Sequence, residues 1–598
     1  MTAILGINCF SHDTAACLVV DGDVVAMVEQ ERLDRSCHSR AFPDDAIAFC
    51  LAEGSLRIGD VDIVAFAQRP LVDLARGAHD AVERRAPKRL AAQLYTDARL
   101  AAREVAFRRR WDYREQVVHV GHHDAHAAAA FFASPFDSAA VLTIDRGGDY
   151  LSTTLRIGSG NRMRTIAEIA NPHSLGEVYS ALTWYLGFST NADEGKVMGL
   201  APYGTDRYVK ELRDLVVLED DGRFRVNFDW FGYQRDGRPV SRRFLERFGP
   251  PRQPESEITQ RDKDLAFALQ ALTEDAGLHI ARWLRSQSPT GRLCLSGGVA
   301  LNSVMNRRLL DEAGFDELFV QPASSDAGNA LGAALWVEHQ LLGRPRRWVM
   351  EHPFLGPAPS DRLVSAAVAS VVRRGTPTGG VSARRVPDPA VEAARLVADG
   401  RVVGWFQGRA EIGPRALGAR SILADPRRAE MRDIVNDRVK HREWFRPFAP
   451  SVLDERGAEY FVDYRRDPFM LLVESVRPDR RHEIPAVTHV DGTGRLQSVT
   501  EAFNPLFCRL ICEFDRLTGV PVVLNTSFNV RGEPMVSRPE EALADFAGTA
   551  MDAVVMGDHV VEKVYLVQEV EGRTVPGANP AAGQTVGLST AGGGYSRD

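Results

Sequence analysis

No Cys-x-x-Cys pair occurs among the seven cysteines of this chain (Cys9, Cys17, Cys37, Cys50, Cys294, Cys508 and Cys512), which excludes structural zinc ribbons and points to reduced thiols. Cys508 and Cys512, four apart, are expected to pack on a helix. There is no run of about 18 apolar residues that would make a membrane span. Met1-Thr2-Ala3-Ile4-Leu5-Gly6 lacks the basic segment of a secretory signal, so the expected location is cytoplasmic. There is no positive excess either: 73 Lys and Arg against 80 Asp and Glu leave a net charge of −7. That balance argues against a protein that coats nucleic acid. The one basic run, Arg108-Arg109-Arg110, reads as a solvated helix face. From Glu571 large apolar residues nearly vanish, and disorder is expected to Asp598.

What remains is the composition of an ordinary globular enzyme, too long at 598 residues for one core. Ile4 to Ile7, Ala15 to Val20 and Val24 to Glu29 read as strands around the polar turn Ser11-His12-Asp13-Thr14 and the hairpin turn Asp21-Gly22. Further on, Gln116 to Val120 is a strand. Ala139 to Ile144, the turn Asp145-Arg146-Gly147-Gly148-Asp149 and Tyr150 to Ile157 then repeat strand, tight polar turn, strand. Two such units point to a duplicated nucleotide-binding fold. Between them stand His122-His123-Asp124-Ala125-His126 and an alanine run that favours helix. On a helix His122 and His126 share a face and can chelate one metal. Two hydrogen-bonded helix histidines are the better explanation of that pair taken alone, so the support for a metal comes from elsewhere in the chain.

Glu194 to Gly204 is glycine-punctuated and reads as a loop lining a site, and residues 262–288 read as a long amphipathic helix. Arg292 to Leu295 runs into Ser296-Gly297-Gly298-Val299-Ala300-Leu301-Asn302, a Gly-Gly turn at a helix start where anionic groups are favoured. Asp326 opens a small-residue helix as its N-cap. The division expected is 1–345 as one domain, 346–387 as a connector rich in Pro, Arg and Gly with a little structure, 388–570 as a second domain, and 571–598 as tail. In the second domain, Arg409, Arg415 and Arg420 are spaced by glycines, and Lys440, Arg442 and Arg446 lie among aromatics. Six cations so arranged suit a polyphosphate. His489 to Gln497 reads as a hairpin with Asp-Gly at its tip, and Asn525-Thr526-Ser527-Phe528-Asn529 follows a buried strand as a ligand rim.

Taken together, these motifs resemble a known family. His12-Asp13, His122-x-x-x-His126, Asp145 with its glycines, Lys196 to Gly204, Ser296 to Asn302 and Asp326-Ala327-Gly328 resemble the N-terminal domain of antibiotic and nodulation-factor O-carbamoyltransferases. Gly413-Pro414-Arg415-Ala416-Leu417-Gly418, Phe445 to Pro450 and Leu524 to Asn529 resemble their C-terminal domain. The resemblance implies an α/β chain: a two-lobed actin/Hsp70-like (Kae1-like) domain followed by a YrdC-like twisted-sheet domain. It also implies a two-site reaction. Carbamoyl phosphate and ATP, with magnesium, would give carbamoyl adenylate and pyrophosphate in the C-terminal domain. The carbamoyl group would then pass to a hydroxyl of a natural product (macrolide, aminoglycoside or sugar) in the N-terminal domain.

On this footing Lys440, Arg415, Arg446 and Arg495 would converge on phosphates, and Asn525 and Ser527 would bond carbamoyl or phosphate oxygens. Ser296, Gly297, Gly298 and Asn302 would meet the nucleotide. His12 would act as base. His122, His126, Asp145 and Asp326 would hold a divalent metal, in the family iron, against the leaving phosphate. No nucleic-acid or membrane partner is implied, and a homodimer is allowed. Three positions depart from the family pattern: Arg146 and Asp149 stand where a glycine and a glutamate are usual, and Cys37 where a lysine commonly precedes His38.

Other readings are open. A tRNA threonylcarbamoyl-type enzyme would share the folds but not this acidic balance. A maturation factor that carbamoylates a protein thiol would bring paired zinc fingers. A chaperone-like regulator would leave residues 400–535 without a role.

Overall fold

The computed structural model describes residues 1–9, 12–70, 87–234, 237–377 and 379–564. The expected disordered tail from Glu571 and part of the 70–115 region lie outside the described residues. The first sheet holds β1 (Ala3–Asn8), β2 (Ala15–Val20), β3 (Asp23–Glu29), β4 (Ile63–Ala67) and β5 (Gln116–Val120), in the order β3-β2-β1-β4-β5. β1, β2 and β3 form an antiparallel meander, and β4 and β5 add in parallel. A second sheet repeats this. β6 (Ser138–Gly148), β7 (Leu151–Ser159) and β8 (Arg162–Ala170) form its meander. After a small hairpin, β9 (Val216–Leu218) and β10 (Phe224–Val226), come β11 (Arg292–Ser296) and β12 (Glu317–Val320), which add in parallel. The order β12-β11-β6-β7-β8 matches the first sheet strand for strand, so the expected duplication is real. This is the two-lobed actin/Hsp70-like architecture.

Each unit ends in a short small-residue helix, His122–Phe131 after β5 and Asn329–Leu335 after β12, and the two pack on each other between the sheets. Alanine and glycine make that possible. A side chain at Gly332 would lie 1.8 Å from the Ala125 carbonyl oxygen, and one at Gly6 would lie 1.9 Å from that of Ala330.

The third sheet comprises β13 (Gly380–Arg385), β14 (Val403–Phe406), β15 (Arg420–Ala424) and β16 (Ala449–Leu453). It continues through β19 (Gln497–Val499), β20 (Val522–Ser527), β21 (Ala553–Met556) and β22 (His559–Val564), after a separate ribbon of β17 (Val473–Ser475) and β18 (Thr493–Arg495). Its order is β13-β22-β21-β14-β15-β20-β16-β19.

Four expectations are corrected. Glu194–Leu200 is helical and Ala201–Tyr203 is a 3-10 turn, not a loop. The stretch expected to be a connector contains the helix Asp361–Arg374, and its strand β13 is hydrogen-bonded into the third sheet. The Asp-Gly turn at 491–492 is present, but the strand after it pairs with Val473–Ser475 rather than closing a hairpin. Asp326 is the first residue of a 3-10 turn whose N-cap is Ser325.

Gly332→Ala should cost about 2–3 kcal/mol, because the contact is with backbone that cannot yield. A melting temperature several degrees lower in calorimetry would show it, with Gly59→Ala, which meets nothing, as the neutral control.

Candidate functional site

The first turn of helix His122–Phe131 points both imidazoles at one spot, their Nε2 atoms 3.1 Å apart. Asp145, at the end of β6, brings Oδ2 to 3.3 Å from His122 Nε2. Asp326, just ahead of the partner helix, brings Oδ1 to 3.6 Å from both Nε2 atoms. All four side chains are buried. A cation about 2.1 Å from each donor needs neighbouring donors roughly 3.0–3.4 Å apart, so the set could hold one metal ion with Asp326 drawn in by a few tenths of an ångström. Burial opposes charge on both histidine and aspartate here, yet the opposite charges win: Asp326 and Asp145 raise His122 to about 9, and the histidines hold Asp145 and Asp326 below the usual carboxylate range.

Supporting contacts fix these donors. Asp145 Oδ1 accepts from Gly298 N at 2.9 Å, and Ser296 Oγ sits 3.3 Å from His126 Nδ1. Asp149 accepts from His122 N at 2.6 Å and from Arg69 N, so this departure from the family pattern caps the ligand helix. A side chain at Gly148 would strike the His122 ring at 2.2 Å. Arg146 reaches Glu177 and Asn191. His123 bonds Thr143 Oγ1 and the Leu151 carbonyl, and burial pushes it well below the usual imidazole range. It has no atom in the cluster.

Beside the cluster lies a cavity of about 280 Å³, lined by His12, Asp13, Asp145, Gly298 and Asn302. His12 Nδ1 is 3.2 Å from Asp13 Oδ2, and Asp13 Oδ1 is 2.7 Å from His38 Nδ1. Burial alone would lower His12, but Asp326, Asp13 and Asp145 lift it to about 9. Asn302 lines the cavity with its amide committed, capping Met305 N and pairing with Gln270. Ser296 and Gly297 line neither cavity; Gly297 (φ +94°) lies against the Ile144 carbonyl, where a side chain would come within 2.3 Å.

A larger cavity of about 1250 Å³ lies against the third sheet and is lined by Lys440, Arg442, Arg446, Arg495 and Ser527. Arg415 lines both cavities, as do Glu31, Arg32 and His38, and these residues form a neck where the two cavities adjoin. Burial first and neighbouring guanidiniums second push Lys440, Arg442 and Arg495 well below their usual ranges, and Arg415 to about 10. Among the described residues, Arg415 Nε and Arg495 Nε are buried without a hydrogen-bond partner. Lys440 Nζ donates to the Ser527 and Asn529 carbonyls, each at 2.7 Å. Cys37 lines this cavity and donates to the Gly532 carbonyl.

Asn525 is not a rim residue. It is buried on β20 and lines neither cavity; its amide holds the Ala416 carbonyl, Ser451 and Gln497, which places it in support of the arginine loop. Arg442 and Asn529 belong with the cations and Ser527, and their motifs carried that signal. Arg32 and His38, the latter part of the family pattern, also line both cavities.

Residues 3–335 match the family model described as "Carbamoyltransferase N-terminus" and residues 394–563 the one described as "Carbamoyltransferase C-terminus". The nodulation protein NolNO of Sinorhizobium fredii is 40% identical, over 93% of this chain and 80% of its own length. NolO of Bradyrhizobium diazoefficiens is 41% identical over 74% of this chain and 79% of its length. Component A of the (R)-2-hydroxyglutaryl-CoA dehydratase of Acidaminococcus fermentans aligns at a TM-score of 0.33 and 12% identity, over 57% of this chain and 100% of that one. The chain belongs to the carbamoyltransferase family.

If the four-residue cluster holds a metal, His122→Ala or Asp326→Asn should lower the metal retained by purified protein at least tenfold. His123→Gln should leave it unchanged. Elemental analysis reads both.

Proposed function

We propose that this chain is an ATP-dependent O-carbamoyltransferase with two reaction sites. The observation that carries the proposal is that the two cavities adjoin: one is lined by a cluster of buried and half-buried cations that outnumber its carboxylates, and the other lies beside the His/Asp cluster. In the larger cavity Lys440, Arg415, Arg442, Arg446 and Arg495 would neutralise ATP and carbamoyl phosphate, two polyanions that repel each other in water. Atom balance sets the products. Water releases phosphate from carbamoyl phosphate, the carbamate oxygen attacks the α-phosphorus of ATP, and pyrophosphate leaves carbamoyl adenylate behind.

In the smaller cavity a hydroxyl of a small-molecule acceptor would attack the carbamoyl carbon and AMP would depart. His12 faces this space and is placed to take the hydroxyl proton, with Asp13 orienting its ring. Bound at His122, His126, Asp145 and Asp326, a divalent cation would polarise the departing phosphate and offset the carboxylates' field on His12. Iron is the first metal to test.

Purified protein given ATP, carbamoyl phosphate and a panel of hydroxylated sugars, aminoglycosides and macrolides should release pyrophosphate and form a carbamate ester. Absence of both would contradict the proposal. Lys440→Ala should cut pyrophosphate release by about 100-fold or more while sparing transfer from supplied carbamoyl adenylate. His12→Asn should do the reverse, slowing transfer by about 10²–10⁴. Loss of both steps in either variant would contradict the division of labour.

A further inference from the structure

The loop that carries Arg415 is held at both ends, and one of the two anchors comes from the other domain. At its far end the buried Glu411 Oε1 accepts from the backbone N–H groups of Leu417, Ala419 and Arg420. At its near end Gly413 is gripped on both faces by Glu29, the last residue of β3, and Arg32, just after it. Glu29 Oε1 accepts from Gly413 N at 2.6 Å, and Arg32 Nη2 donates to the Gly413 carbonyl. Both side chains are buried, and they pair with each other, Arg32 Nε 3.7 Å from Glu29 Oε2. Gly413 itself sits at φ +86°, where an added side chain would come within 2.4 Å of the Pro322 carbonyl. Between the anchors only Pro414, Arg415 and Ala416 are left, and Arg415 from this arch lines both cavities.

Resting on the two-site reading above, we propose that Glu29 and Arg32 are positioning residues for the C-terminal reaction. They fix Gly413, aim Arg415 into the neck, and so keep carbamoyl adenylate within the protein between the two half-reactions. The N-terminal domain thereby sets the shape of a site whose cations belong to the C-terminal domain. With the clamp cut, the arch keeps only the Asn525 bond to the Ala416 carbonyl and the long Arg415 contact to the Leu301 carbonyl, so Arg415 loosens and the neck widens. Adenylate that escapes meets water, which attacks the carbonyl carbon; AMP leaves, and the carbamate decomposes to carbon dioxide and ammonia.

The test is the ratio of pyrophosphate released to carbamate ester formed, measured on the full chain with a working acceptor. The unaltered chain should give a ratio of one. Glu29→Ala and Arg32→Ala should raise it above two and raise KM for carbamoyl phosphate about tenfold, while transfer from supplied carbamoyl adenylate continues. Glu29→Gln, which keeps an acceptor for Gly413 N, should restore most of the coupling. Arg35→Ala cuts a different contact between the domains, to the Met535 carbonyl and Glu533, and should leave the ratio at one. A general loosening of the interface would raise the ratio in Arg35→Ala as well, and would overturn the proposal. A ratio of one in Glu29→Ala and Arg32→Ala, whatever their rates, would overturn it too. Either result leaves the two-site reading standing, because the unaltered chain tests that reading by itself.

Discussion

Five cationic side chains, Arg415, Lys440, Arg442, Arg446 and Arg495, are crowded around one cavity with too little negative charge to balance them. Glu443 is shared with Lys196 and Arg446, and Asp467 spends its oxygens on the backbone N–H groups of Phe469, Leu471 and Leu472. Like charges packed out of water destabilise a fold unless something pins them or an anion joins them. Much of the C-terminal domain is such pinning. Glu411 ties the arginine loop to itself, Asn525 holds that loop from β20, and Lys440 is spread over the Ser527 and Asn529 carbonyls. On the proposed function, the domain is built around a polyanion.

A different economy governs the N-terminal half. The duplicated sheets leave room for two helices only because alanine and glycine line them, and that closeness brings Asp326 of one unit to the histidines of the other. Neither unit holds the four donors alone. Asp149 and Gly148 then set the rotation of the ligand helix, one by a hydrogen bond to His122 N and the other by leaving space for its ring. The cross-domain grip on Gly413 joins this half to the cationic one.

Much of this could be read from residue order. Strand, polar turn, strand occurs twice within 160 residues, and those strands formed where the pattern placed them, although the third strand of the second meander, β8, was not read. The long helix Gln260–Gln287 followed from its periodicity, and His122, His126, Asp145 and Asp326 came together as their motifs implied. The failures have physical causes. Glycines at 195 and 199 suggested a loop, yet both sit on a short helix, with Gly195 facing open space and Gly199 packed against Pro447. Prolines and arginines hid a helix and an edge strand in residues 346–387, because their partners lie almost 200 residues downstream. Asn525 looked like a rim residue because it is polar at the end of a strand, and nothing local showed that a loop from residue 416 would claim its amide.

The central claim is that the cation cluster is a polyphosphate site, and pyrophosphate is the smallest probe of it. Calorimetric titration of the full chain with pyrophosphate should show one saturable site, weakened by added salt and lost in Arg495→Gln. Binding no tighter than that of inorganic sulfate, or unchanged in Arg495→Gln, would contradict the account.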